Sequence, residues 1–480
     1  MASLSPQTAL RRVDSDARPA LVVAVVASFL TPFMGSSVNI ALPLMARDFA
    51  MDVVRLSWVA TAFLLSAAMF LVPFGRLADI HGRKKMFSYG FAIYTAASLL
   101  AAVSISGAMM IAARVLQGFG GAMIFGTGVA ILTSVFPPGE RGKALGINSA
   151  AVYLGLSLGP FWGGFLTQHL GWRSIFLANV PVGVLLIVLV RTLHGEWADA
   201  KGEKFDFPGA LIYMTALIAL MLGFSFLPAQ SGAGLLALGV MGIIAFVRWE
   251  MKTPSPVLRM QLFRNTVFAF SNLAALIHYS ATFALTFLLS LYLQYIKALP
   301  PQTAGFILVA QPLMMAIFSP LAGRISDHIE PRLVASLGMF LSAAGLFLFT
   351  FLEENSTLAT IVAGLLLLGL GFALFSSPNT NAVMSTVEKR FYGIAAGTLG
   401  TMRLTGQMLS MGIATLIFAV YLGPVQITAS NHLLFMKGDR SAFSIFVVLC
   451  LGGTFASLAR GKVRRGKCSD EVRLHLKKGR

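Results

Sequence analysis

The chain has 480 residues, 56% hydrophobic and 12% charged, with 38 Phe and a mean hydropathy of +0.78. That is more apolar surface than a water-soluble domain buries, so the solvent is lipid and a soluble enzyme or binding module is excluded. The net charge of +18 suggests nucleic acid at first sight, but the basic residues fall in the segments between hydrophobic stretches, where they act as orientation signals for a membrane protein.

A membrane-crossing helix needs about 20 mostly apolar residues. Such stretches run in chain order at 21–46, 57–75, 87–105, 108–135, 144–169, 174–191, 207–227, 233–249, 266–292, 302–322, 333–352, 356–380, 392–421 and 441–459, which predicts an all-α integral membrane protein with fourteen transmembrane helices. The first stretch has no small-residue cleavage site and is expected to be retained. With this layout one side of the membrane collects Arg11, Arg12, Arg18, the 76–85 cluster, Arg141, Lys143 and the basic run from Arg460. The other side keeps only Arg47, Arg55, Arg173, Lys297, Lys437 and Arg440. The positive-inside rule then places both termini in the cytoplasm of a multi-pass cell-membrane protein. Two cysteines, Cys450 and Cys468, give neither a disulfide framework nor metal spacing, and no cofactor is expected.

Residues 75–85 read GRLADIHGRKK, a dense charge cluster in an apolar chain. Gly75 and Gly82 permit close approach and a turn, Arg76 and Arg83 hold the loop on the cytoplasmic side, and Asp79 sits at a helix end needing a positive partner. Arg83 is expected to pair with Glu140 at the end of helix four. An echo, GRISDHIEPR, places Gly323, Arg324 and Asp327 each 248 positions after Gly75, Arg76 and Asp79. At an offset of 251, Leu116, Gly118, Gly120 and Ala122 pair with Leu367, Gly369, Gly371 and Ala373, and Gly142, Gly146 and Gly155 with Gly393, Gly397 and Gly406. A repeat at nearly constant offset means two copies of one six-helix unit. The expected division is a tail over 1–20, an N-terminal bundle over 21–193, a linker with two inserted helices over 194–264, a C-terminal bundle over 265–459 and a basic tail over 460–480.

Arg114 lies inside an apolar span with Gln117, Gly118 and Gly121 on its face, and must reach either a wet cavity or helix-end carbonyls. Gly155, Gly159 and Gly163 recur every four residues beside Pro160 and Gly164, a pattern for close and flexible helix packing. His278 is embedded near the middle of helix nine, either as a hydrogen-bonding residue or as a proton carrier. Arg403 and Gln407 share a face of helix thirteen expected to border the cavity, and Asn39 and Gln311 are candidates either to bond a substrate or to join helices.

GRLADIHGRKK resembles the loop signature of the major facilitator superfamily, ARVLQGFGGAMIFG its fourth-helix arginine motif, and GLSLGPFWGG its fifth-helix antiporter motif. With fourteen spans, VNIALP at 38–43 and GWRSIFLANVPVG at 171–183, the chain resembles the drug:proton antiporters of the EmrB and QacA type. The resemblance implies the major facilitator fold, two six-helix bundles plus a central two-helix insertion, and a monomeric secondary transporter working by alternating access. Its implied activity is export of amphipathic drugs or related small molecules in exchange for protons. It also implies that Asp79 latches onto the N-terminal end of helix thirteen, that Arg114 serves proton coupling, and that the glycine motif limits leakage between bundles. The family's first-helix aspartate is replaced here by Met34, and all nineteen acidic residues are expected in loops, tails or helix ends. A desolvated cation needs an embedded counter-charge, so the expected cargo is neutral, amphipathic or anionic. The alternative is a dedicated carrier of one neutral or anionic lipid-like substrate or metabolite, uncoupled from protons. Nothing here supports catalysis: GERGKAL at 139–145 lacks P-loop spacing, and GFGGAM at 118–123 is a membrane helix rather than a dinucleotide fingerprint.

Overall fold

The computed structural model describes residues 6–136, 141–193, 195–388 and 392–461. Among the described residues fourteen membrane-length helices follow one another: α1 (Pro6–Asp48), α2 (Val53–His81), α3 (Arg83–Ala102), α4 (Gly107–Val135), α5 (Arg141–Leu170), α6 (Arg173–Arg191), α7 (Phe207–Phe226) and α8 (Gln230–Glu250). Then come α9 (Thr266–Ile296), α10 (Pro301–Leu308 continuing as Ala310–His328), α11 (Pro331–Phe349), α12 (Leu358–Ser385), α13 (Tyr392–Tyr421) and α14 (His432–Ala459). Thirteen are long and apolar enough to cross a membrane; α3, which opens on Arg83-Lys84-Lys85, is the exception. Short polar residues start several of them: Asp52, Ser106, Asn265 and Thr357 accept from backbone N–H groups at the beginnings of α2, α4, α9 and α12.

The internal repeat reappears as matched helix contacts. A Cβ added to Gly118 would clash with the Phe63 carbonyl of α2, and one added to Gly369 with the Gln311 carbonyl of α10. Gly120 meets Gly90 and Tyr94 of α3, whereas Gly371 meets Gly338 and Ser342 of α11; Gly155 meets Phe29 and Phe33 of α1, whereas Gly406 meets Leu276 and Ser280 of α9. Every one of these partners is displaced by 247 or 248 positions between the halves. Lipid gives helices no hydrophobic drive to associate, so the bare glycine faces that let backbones touch are what hold each bundle together.

The inserted hairpin, α7 and α8, lies against the flank of the joint between α2 and α13. Tyr213 of α7 donates to the Ala68 carbonyl of α2 at 3.2 Å, and Gly412 of α13 abuts Phe224 and Met221 of α7.

Hydrogen bonds between the bundles gather at the end opposite the start of α1 and the end of α14, the far end. Ser290 donates to the Asn39 carbonyl at 2.8 Å, Gln294 to the Ile40 carbonyl at 3.0 Å, and Val53 N–H to the Val425 carbonyl at 3.1 Å. Ser57 and Thr415 pair at 2.8 Å. Beside them Pro160 and Gly164 of α5 press on Gly305 and Pro301 of α10. At the other end, Gly146 of α5 and Gly393 and Gly397 of α13 have nothing within 4 Å of an added Cβ. The molecule is therefore closed at its far end.

Two boundaries differ from the sequence expectation in ways that matter. The charged GRLADIH segment continues α2 to His81, so the turn falls at Gly82 alone, whose φ is 118°. In turn α14 starts at His432, not 441, because a short 3₁₀ turn over Ala429–Asn431 leads into it.

Candidate functional site

The charge cluster at the α2–α3 turn is held by the segment that leaves α6. Arg83, 8% exposed, donates to Asp79 at 2.6 and 3.0 Å, to Ser134 Oγ of α4 at 2.6 Å, and pairs with Asp199 at 2.7 Å. Arg76 pairs with Glu203 at 2.5 Å. Glu196 accepts from Lys84 N–H at 2.8 Å, Lys84 Nζ reaches the Leu193 carbonyl, and Ala200 N–H donates to the Asp79 carbonyl at 2.9 Å. Gly82 is required here twice over, since its φ is left-handed and an added Cβ would strike the Glu196 side chain. The expected partner of Arg83, Glu140, lies outside the described residues; Asp79 bonds Arg83 four residues on. In the echo, Gly323 of α10 approaches Ser377 of α12 just as Gly75 approaches Gly126 of α4, and Arg324 is exposed. The Asp327 side chain is outside the described set.

Arg114 is 2% exposed and belongs to the interior of the N-terminal bundle. Its Nε donates to the Val59 carbonyl of α2 at 2.9 Å, its Nη1 bonds Gln117, and its guanidinium lies 4.5 Å from the Phe63 ring centroid. Gln117 passes the chain on to Ser98 of α3 at 2.8 Å. This is a knot tying α4 to α2 and α3, and the carbonyl that Arg114 meets lies inside α2 rather than at a helix end.

The glycines of α5 divide their labour. Gly155, Gly159 and Gly163 seat α1 at Phe29, Phe33, Ser36 and Ser37, inside one bundle, and Ser37 donates to the Gly159 carbonyl at 2.8 Å. Contact across the bundles falls to Pro160 and Gly164. Met34 also faces inward, 3.0 Å from the Asn179 amide of α6.

The seam between bundles carries a cluster in which Tyr153 and Leu156 of α5 pack on Tyr279, Met315 and Phe372 of α9, α10 and α12. Arg403 of α13 joins it half-buried: its guanidinium lies 5.6 Å from the Tyr279 ring centroid and donates to Thr380 at 2.9 Å, while its buried Nε has no partner. Tyr153 donates to Ser376 at 3.5 Å, and Gln407, one turn after Arg403, is half-buried. His278 backs the cluster, its ring tilted against Phe375 at 4.1 Å and Phe372 at 5.0 Å between centroids, fully buried with neither ring nitrogen partnered. Asn39 and Gln311 are buried at helix contacts, where their carbonyls meet Ser290 and Gly369.

A two-fold repeated helical bundle with a charged turn in its first copy is matched by a family model, described as Major Facilitator Superfamily, over residues 24–248 and 271–471. The chain belongs to the Major Facilitator Superfamily. Within it, the chain is 29% identical over 437 residues to the riboflavin transporter RibZ of Clostridioides difficile, covering 90% of this chain and 95% of that one. It is 32% identical over 415 residues to the cephamycin export protein CmcT of Amycolatopsis lactamdurans, covering 84% and 85%. The crystal structure of the peptide transporter POT in complex with sulfate superposes with a TM-score of 0.68 at 14% identity, over 92% and 96% of the two chains. The protein is thus a membrane transporter of the superfamily, not an enzyme.

Three groups escaped the sequence reading of this superfamily member. The acidic segment 196–203 was too far along the chain from the basic turn to be paired with it, although the alternation of Glu196, Asp199 and Glu203 was visible. Arg460, expected in a solvated tail, is fully buried and bonds Asn379 at 2.9 Å, Ser271 at 3.2 Å and the Pro331 carbonyl at 3.0 Å. Burial pulls its pKa down to about 10, with Glu330 opposing, so it stays charged at neutral pH. Finally, Asp439 lies within α14 and is 1% exposed, correcting the expectation that no carboxylate is embedded.

Proposed function

We propose that this protein is a secondary active exporter that works by alternating access and moves neutral or anionic amphipathic molecules out of the cell in exchange for protons. The observation that carries the reading is the seam cluster. Aromatic faces from both bundles meet a half-buried arginine there, and the site is made by both halves of a repeated fold, so rocking one half against the other exposes it to either side in turn. An embedded guanidinium with an unused N–H favours a carboxylate or a polarised carbonyl on the cargo and repels a quaternary ammonium group. With the termini cytoplasmic, the described state is closed to the outside. His278, behind the cluster against Phe372, is the imidazole beside the seam and is assigned the coupling role. The export direction is supported by relatives named as export proteins.

The test is transport by purified protein in liposomes under an imposed pH gradient. Saturable flux that follows the gradient and collapses with uncoupler is expected. Flux indifferent to both would favour the second reading, a dedicated carrier without proton coupling. One observation speaks for that second reading: Met34 packs on Asn179 and leaves α1 without its family's carboxylate.

A further inference from the structure

Asp439 sits two turns into α14, buried, with both carboxylate oxygens lacking a hydrogen-bond partner. A bare carboxylate in such surroundings is costly to hold, and the protonated acid avoids most of that cost. The groups that face it are few. Tyr292 comes from α9, with its hydroxyl turned away to the Glu353 carbonyl at 2.6 Å. Glu353 and Glu354 lie in the α11–α12 loop. Arg440, next along α14, is turned from Asp439 toward the Leu352 carbonyl at 2.7 Å and Glu353 at 3.6 Å. Tyr421 of α13 takes the Ser441 hydroxyl at 2.8 Å. Among the described residues no cation neutralises Asp439.

Its neighbour Tyr292 belongs to the part of α9 that closes the far end. The helix is interrupted after Thr282 and resumes at Leu285, where Ala284 N–H is held by Ser410 at 3.0 Å, and it ends in a π turn over Tyr292–Ile296. The segment beyond the break supplies Ser290, Gln294 and Tyr295 to the carbonyls of Asn39, Ile40 and Pro43 on α1. A cavity of about 380 Å³ opens at the same end, lined by Gln294 and Tyr295 of this segment and by His432 of α14. That is room for several waters. His432 and Asp439 are seven positions apart, on one face of the helix.

We propose that Asp439 is a binding site for protons from the far-end aqueous phase, and that its protonation holds the far-end gate shut. Swinging residues 285–296 away from α1 moves Tyr292 off Asp439 and lets water reach the carboxylate, which then gives its proton back to the same side. Closing the gate buries the group again and requires that the proton return. No net proton crosses the membrane through Asp439, so this switch is separate from the exchange assigned to His278. It rests on the alternating-access part of the proposed function and not on proton antiport.

The test is the distance across the far end, between labels on R55C and S430C in a C468S background, measured by pulsed electron spin resonance in lipid nanodiscs from acid to alkaline pH. In the parent a far-end-open population grows as pH rises. D439N, uncharged at every pH, is expected to stay closed throughout; D439E, which keeps the titrating group, is expected to retain the response with a shifted midpoint. Infrared spectra supply a second readout, a protonated-carboxyl band in the parent that D439N lacks. A parent indifferent to pH, or a D439N that opens with pH as the parent does, overturns the proposal. Failure of the proton-antiport reading shows separately, as liposome flux blind to the pH gradient while the label distance still responds. A single distance at every pH with and without cargo would instead mark failure of alternating access itself.

Discussion

Arg114 in the N-terminal half and Arg403 in the C-terminal half are both arginines embedded in membrane helices, yet their surroundings differ. Arg114 spends its donors on α2 and Gln117 and is sealed among α2, α3 and α4. Arg403 keeps an unused N–H and lies half-exposed at the seam. Neither has a counterpart in the other copy: the repeat puts Leu365 opposite Arg114 and Val152 opposite Arg403. The halves share the glycine contacts that build a bundle and diverge in where charge is placed. The first copy uses an arginine to fasten helices and a charged turn to hold the linker, and the second offers its arginine to the seam.

The largest expected effect separates these two arginines. Replacing Arg403 by Met should lower transport of an anionic cargo at least tenfold while leaving thermal stability in detergent unchanged. Replacing Arg114 by Met leaves the buried Gln117 Oε1 without its donor and removes the tie to α2, a loss of about 1–3 kcal/mol for the buried polar group left unmade. That variant should melt early, with transport falling only as folded protein is lost. Similar transport losses at equal stability in both would erase the distinction.

Next in size is the shared scaffold. Gly118→Ala and Gly369→Ala each drive a methyl into a backbone carbonyl that has no side chain to move aside, so each should cost roughly 1–3 kcal/mol or more by overpacking. Melting curves should show similar penalties in the two halves. A penalty in one alone would mean that the copies do not pack alike.

The smallest effect belongs to the linker clasp. Glu203 and Asp199 have side chains 47% and 73% exposed, so E203Q and D199N should each change stability by no more than about 1 kcal/mol, less at high salt. R83M, which removes the buried centre of the clasp together with the bonds to Asp79 and Ser134, should cost more. If E203Q and D199N match R83M, the clasp rather than the turn carries the contact.

Much of this architecture was legible because lipid leaves the chain few choices: the spans follow from apolar length, and the repeat from glycines whose spacing close packing preserves. What stayed hidden depended on rotation and distance. Sequence spacing puts Arg114 and Arg403 on helices but does not say which face meets the seam: Arg403 was expected beside the cavity, and Arg114 was left between a cavity and helix-end carbonyls. Asp439 was missed because Lys437, Asp439 and Arg440 together end the apolar window at 441, while the helix itself runs back to His432. For the α5 glycines the spacing gave the close approach but not the partner, which is α1 for three of the five small or kinking positions.

On the proposed function, both halves meet at a cargo site whose charge is Arg403. This is tested most directly by measuring liposome flux of one aromatic scaffold in anionic, neutral and cationic forms, for the parent protein and R403M. The account predicts that the parent prefers the anionic and neutral forms and that R403M loses the anionic preference. Saturable transport of the cationic form at the parent's best rate, unchanged in R403M, would contradict it.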